Sequence, residues 1–302
     1  MEEDINKALA AEDFSKARGR AILSQIQHFL DQDKNQLLSF NDVKEILHPK
    51  NETYRGMRAV PIDLIVGSEG RYRDFNRYFL PNFDFLRSRW ERVDMARIKD
   101  IILPPIQLYE IGGVYFVRDG NHRVSVAKTQ GMEMIDAEVT SLSSEIPITP
   151  GMTSDDLKQA VIQYEKKLFY EKARFAEITG DETLDFSMTG QYDTIYRHIL
   201  DHKYFLNETF HNELPFDEAL LSWYQTIYEP IVKIIREEQI CSRFSGRTES
   251  DLYVWIVTHW DFLKKKYGEY DISDAVHDFS DRYGRRETIA PITSFLKKLF
   301  GL

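Results

Sequence analysis

The residues best suited to do chemistry lie between Val114 and Ala127. An alternating run, Val114-Tyr115-Phe116-Val117-Arg118, closes on Asp119-Gly120, and Asn121-His122-Arg123-Val124-Ser125 then opens a segment of helical character. A strand that stops at glycine and passes into a helix leaves backbone N–H groups converging on one spot, which attracts anions and phosphate above all. The imidazole of His122, the guanidinium of Arg123 and the hydroxyl of Ser125 fall in the first turn, so side-chain donors are expected to join the amides of Gly120, Asn121, His122 and Arg123. Asp119, just before the loop, is placed to ligate magnesium directly or through water, and it suits equally well the role of a turn acid accepting a backbone N–H. An ordinary strand–turn–helix with a surface His and Arg has the same spacing.

The pattern Asp119-Gly120-Asn121-His122-Arg123, followed by a helix of small residues, Gly131 and Ile135-Asp136-Ala137-Glu138-Val139, resembles the ParB/sulfiredoxin superfamily. In that superfamily a Gly-x-His-Arg or Gly-Glu-Arg-Arg loop holds nucleotide phosphates at a helix N-terminus. Leu103–Tyr109 resembles the strand before the loop, and Ile65-Val66-Gly67-Ser68-Glu69-Gly70-Arg71-Tyr72 the first strand and a loop facing the nucleotide; the likeness covers roughly residues 58–142. It implies an α+β fold with a small mixed sheet that binds ATP, ADP or CTP, with Mg2+ where catalysis follows. Asp119, His122 and Glu69 are then the catalytic candidates, with Glu69 as base and Asp119 as the magnesium ligand. Gly120, Asn121, His122, Arg123, Ser125, Arg71 and Arg73 become the phosphate-binding set.

Departures narrow the chemistry. Sulfiredoxin chemistry needs a cysteine thiolate between the glycine and the His-Arg pair. Asn121 stands there and the single cysteine is Cys241, so sulfinic-acid reduction is not expected. The DNA-clamp members carry Gly-Glu-Arg-Arg, from which Asn121-His122 differs; the loop is closer to the free-serine kinase branch, with Asn121 replacing one histidine. Two functions are expected: a small-molecule kinase or NTP hydrolase, or a nucleotide-responsive transcriptional or partition-type regulator whose helical C-terminal part meets a protein or DNA. A scaffold that has lost nucleotide chemistry is the third, and the intact loop counts against it.

Composition sets the surroundings. A hydrophobic content of 42% and 13% aromatics suffice for packed cores. One cysteine excludes an internal disulfide and fits a reducing compartment. With no signal peptide and no apolar run of about 18 residues, a cytoplasmic, non-membrane protein is expected. The net charge of −10 disfavours non-specific DNA binding. One basic stretch runs against it: Arg55, Arg58, Arg71, Arg73, Arg77, Arg87, Arg89, Arg92 and Arg97, interleaved with Tyr72, Phe75, Tyr78, Phe79, Phe83, Phe85 and Trp90. Pairing with nearby acids on helix faces is the plainer account of most of these arginines.

The elements expected around the loop are an N-terminal helical segment (1–50), a ParB/sulfiredoxin-like domain (51–145) and a mainly α-helical domain (146–302). Periodicity predicts a helix over 4–30 with Ile5, Ala8, Leu9, Phe14, Ala17, Ile22, Ile26 and Phe29 on one face, and a second over Phe40–Leu47 started by Ser39 and Asp42. A turn over 51–61, a strand at Ile62–Val66, a mainly helical 74–100 broken at Pro81 and a last strand at 137–140 follow. In the C-terminal part, helices are expected from Thr153, over 193–206, 216–238 (interrupted at Pro230), from Gly246, and over 272–283 and 292–299. The stretch from Asp31 imitates an EF-hand but has Gln36 and Asp42 where glycine and glutamate belong, and is read as a polar loop. His198 and His202, at i and i+4, lack a third ligand and are read as ordinary histidines.

Overall fold

The computed structural model of the protein describes residues 2–28 and 32–284. The chain is α+β and divides into two compact units between Ala160 and Val161. In the first unit a long helix α1 (Glu2–Gln27) precedes β1 (Leu38–Ser39), α2 (Phe40–Leu47), β2 (Glu52–Pro61), β3 (Ile65–Ser68), α3 (Arg87–Ile98), β4 (Ile106–Ile111), β5 (Val114–Asp119), α4 (Asn121–Thr129) and β6 (Met134–Leu142). The strands form one mixed sheet in the order β1-β3-β5-β4-β6-β2. β5 lies between a parallel neighbour, β3, and an antiparallel one, β4, which in turn runs parallel to β6.

Alternation along β5 gives the sheet two packed faces. Val117 joins Phe75, Phe79, Leu86 and Val124 on one face. Val114 and Phe116 join Phe40, Val43 and Leu157 on the other. Each such side chain, fully buried, contributes about 1.5–3 kcal/mol. A smaller cluster of Phe14, Ala17, Ala21, Leu80, Trp90 and Val126 binds α1, α3 and α4 together. β1, β3 and β5 approach so closely that a Cβ on Gly67 would stand 2.3 Å from the Leu38 carbonyl and 2.4 Å from the Phe116 ring.

The second unit is helical. α5 (Ser154–Ala173) starts in the first unit, where Leu157 is core, and supplies Ile162 and Phe169 to the second. α6 (Phe175–Thr179), α7 (Gln191–Phe210), α8 (Phe216–Trp223), α9 (Glu229–Glu237), α10 (Glu249–Tyr267) and α11 (Ile272–Tyr283) follow. Their core holds Phe175, Tyr192, Trp223, Tyr228, Tyr253, Trp255 and Phe279. Among the described residues no helix is long and apolar enough to cross a membrane.

Several expectations need correction. Among the described residues of the proposed α1 face only Phe14 and Ala17 are buried; the buried face is Ala10, Phe14, Ala17, Ala21 and Ser24, while Ile5, Leu9, Ile22 and Ile26 are exposed. Small residues at these positions let α1 approach Trp90, whose ring meets Phe14 edge-on at 5.7 Å. The turn at 51–61 is the edge strand β2, bulged at Tyr54/Gly56, and 62–64 is a 3-10 turn before β3. Because β2 exposes nearly all its side chains, no apolar alternation marked it. Residues 74–83 are not helical, and Asp84–Leu86 is a 3-10 turn before α3: the Asn76 carboxamide oxygen accepts the amides of Tyr78 and Leu80 at 3.0 Å, and Phe75 bridges to Pro81. The break at 224–228 is a π-helical turn, and Pro230 sits in the first turn of the helix that follows. Phe29, Leu30 and Asp31, and the helix expected at 292–299, lie outside the described residues.

Candidate functional site

β5 ends at Asp119 and α4 begins at Asn121, with Gly120 between them at φ +110°. An L side chain there would be strained, and its Cβ would stand 2.4 Å from Ile106 Cγ2. The Gly120 carbonyl accepts the Val124 amide at 3.0 Å, so the turn closes directly into the helix. The amides of Asn121, His122 and Arg123 are thereby the first, unpaired donors of α4.

Arg123 is committed to its own fold. Its guanidinium donates to Asp119 Oδ2 at 2.5 Å, to the Pro105 carbonyl at 3.1 Å and to the Pro104 carbonyl. It clasps the segment before β4 to the start of α4. On that flank lies a cavity of about 420 Å3, mostly apolar and lined by Ile101, Leu103, Pro104, Val126 and Met134. Asp119, held by Arg123, is a partner in the clasp. Ser125 is wholly buried and accepts the Trp90 indole N–H at 2.8 Å, a joint between α3 and α4.

Asn121 and His122 are different. They are only 7% and 5% exposed, and Asn121 Oδ1 and His122 Nδ1 have no hydrogen-bond partner. Buried polar atoms without partners are rare and costly, and each calls for an explanation. The His122 ring packs edge-on against Phe75, with centroids 5.4 Å apart. Burial first, and then the positive charges of Arg89, Arg71 and Arg92, lower its pKa from 6.5 to about 4. At neutral pH the imidazole is uncharged, and three guanidinium charges act on it.

These arginines come from two elements. Arg71 follows β3; its amide donates to Ser68 Oγ at 3.3 Å, and its guanidinium meets Asp74 at 2.8 Å. Arg89 and Arg92, one turn apart, lie on α3, which Trp90 pins to α4. Arg92 donates to the Ser88 carbonyl of its own helix at 3.2 Å, and Arg89 has no ion-pair or hydrogen-bond partner among the described residues. The spacing of Arg89 and Arg92 was readable as one helix face, but nothing in the sequence tied that face to His122.

The remaining sequence candidates sit elsewhere. Arg73 stands over the Tyr72 ring at 5.4 Å and is not among the charges acting on His122. The Glu69 amide donates to the Val117 carbonyl at 3.0 Å, and its carboxylate acts on the Tyr109 phenol, whose pKa rises chiefly through burial. Tyr109 stacks on Phe40 at 4.2 Å, on the sheet face opposite Phe75. Gly120, Asn121 and His122 thus share one turn, the charges of Arg71, Arg89 and Arg92 act on His122, and Glu69 and Arg73 act on Tyr109 and Tyr72 instead. Among the described residues no group of three or more His, Cys, Asp or Glu is arranged to hold a metal ion. His202 Nε2 meets Ser222 Oγ at 3.0 Å, and His198 Nδ1 lies 3.5 Å from the Tyr253 hydroxyl.

No family model and no curated protein matches the chain. Among solved structures it is similar to one described as "Structure of the C2221 form of Pnob8-like ParB-N domain", with 11% identity, 82% of this chain and 98% of that chain covered, and a TM-score of 0.20. At that TM-score the likeness carries no weight for fold or function, and the geometry of the site stands alone.

Proposed function

We propose that the first unit binds the phosphate groups of a nucleotide, ATP, ADP or CTP, at the first turn of α4. One observation carries this: two buried polar side-chain atoms without partners, Asn121 Oδ1 and His122 Nδ1, lie at a helix start toward which Arg71, Arg89 and Arg92 direct their charge. A phosphoryl oxygen supplies what His122 Nδ1 lacks, selecting the tautomer with the proton on Nδ1. The free amides of α4 and the helix dipole add donors, and the arginines add charge-assisted contacts worth about 1.5–3 kcal/mol each when direct. Asn121, by its amide group, suits a hydroxyl or a phosphoryl oxygen beside it.

The donor set fits a phosphate and not a magnesium ion. Asp119, the carboxylate nearest the loop, is engaged by Arg123, and a cation there would have to displace that guanidinium. The function proposed is therefore nucleotide binding, with no chemical step assigned. Calorimetric titration of ATP, ADP and CTP into the protein tests it. Binding that Arg89→Ala and Arg92→Ala each weaken about tenfold supports the site; absence of binding by all three nucleotides contradicts it.

A further inference from the structure

We propose that the exposed aromatic pair Phe83 and Phe85 is the base platform of this site, so that its ligand is a nucleotide held by base as well as by phosphate. This rests on the anion site described above. The two rings stack, with centroids 5.4 Å apart and planes 14° from parallel, yet they are 44% and 70% exposed. Three neighbours tie the turn to the fold. Asp84 pairs with Arg18 of α1 at 3.6 Å, Leu86 is buried under the sheet, and Arg87 lies over the Phe14 ring at 4.4 Å and pairs with Glu91 at 3.3 Å. The turn is thus fixed on one side, and it presents two stacked rings to solvent on the other.

That turn, Asp84–Leu86, runs directly into α3. Phe85, in that 3-10 turn, precedes Arg89 and Arg92 of α3 by four and seven residues, spacings that bring it close to their side of the helix. The arginines are those whose charges act on His122. Seven residues of helix span roughly 10 Å of axis, a distance that a nucleotide covers from its terminal phosphate across the ribose to its base. Phosphates at Arg92 and Arg89 would leave the base at the aromatic end of this run, where stacking on a phenyl face tolerates any of the bases. Discrimination between ATP and CTP on this platform is expected to be modest for the same reason.

The test compares ATP with inorganic tripolyphosphate, by calorimetry, on the wild type, on the Phe83→Ala/Phe85→Ala double variant and on Phe85→Trp. Both side chains are exposed, and tripolyphosphate binding reports directly that the anion site of each variant is intact. The expected result is that the double variant loses ATP affinity about tenfold or more and keeps its tripolyphosphate affinity. Phe85→Trp should retain ATP affinity, with indole emission quenched on binding. Equal ATP affinity in wild type and double variant, with both ligands still bound, would overturn the platform and leave the anion site standing. Binding of neither ligand by the wild type would overturn the anion site, and the platform with it.

Discussion

At the scale of single residues the site turns on a histidine without charge among three arginines. His122 has its pKa lowered from 6.5 to about 4, chiefly by burial. The folded state therefore resists protonation that the unfolded chain accepts: stability is complete above about pH 6.5 and falls as the pH drops toward 4, by up to about 3 kcal/mol. Denaturant unfolding between pH 4 and 8 should show this slope in the wild type and a shallower one in His122→Gln. A bound anion acts in the opposite sense, since it favours the imidazolium. Phosphate affinity should accordingly rise as pH falls from 7 toward 5, with net proton uptake detectable from calorimetry in buffers of different ionisation enthalpy; an affinity indifferent to pH would show that the ligand does not approach this ring. Arg123 plays another part. Because its guanidinium is spent on Asp119 and the carbonyls of Pro104 and Pro105, Arg123→Ala should lower the thermal midpoint, whereas Arg89→Ala should lower affinity and leave the midpoint unchanged.

At the scale of elements, the turn from β5 into α4 sets the position of everything above. Gly120→Ala combines a φ of +110° with a Cβ 2.4 Å from Ile106. It should cost about 2–4 kcal/mol in urea unfolding; a loss below about 0.5 kcal/mol would mean that the turn tolerates a second conformation. Where α1, α3 and α4 meet, Asp94 is wholly buried beside Asp13, with Arg97 Nε at 2.7 Å. Burial holds its pKa above the usual carboxylate value, against the pull of Arg97 and with a further push from Asp13. The charged form is thus the disfavoured one, stability falls as pH rises through that raised value, and Asp94→Asn should be as stable as wild type at pH 7 or more so. The strand–glycine–helix turn was legible in the sequence because alternation, Asp-Gly and a polar first turn are all local signals, and Ser39 and Thr153 announced their helices in the same way. The loop over 74–83 was not legible: Phe75 and Phe79 have helical spacing, and only the folded contacts of Asn76 show that the chain doubles back. The partnership of Arg89 and Arg92 with His122 was hidden for a related reason, since it depends on Trp90 docking α3 onto Ser125.

At the scale of the whole molecule, a chain of net charge −10 presents a local cluster of arginines. Small polyanions reach such a cluster, while a long one meets the acidic remainder as well. At about 0.15 M salt the full chain should bind ATP but show no comparable affinity for duplex DNA by fluorescence anisotropy; tight, steeply salt-dependent DNA binding would favour the regulator instead. The second unit has a cavity of about 740 Å3 where the acids Asp181, Asp185, Glu229, Glu237 and Glu249 outnumber Lys233 and Arg236, a balance less suited to phosphate. The most direct measurement is nitrogen NMR of the protein labelled at histidine, with the His122 ring assigned by its loss in His122→Gln, during titration with ATP. The expected result is a neutral His122 ring in the free protein whose Nδ1 signal moves on saturation, with the same dissociation constant that calorimetry gives. ATP that binds without moving that signal would contradict it.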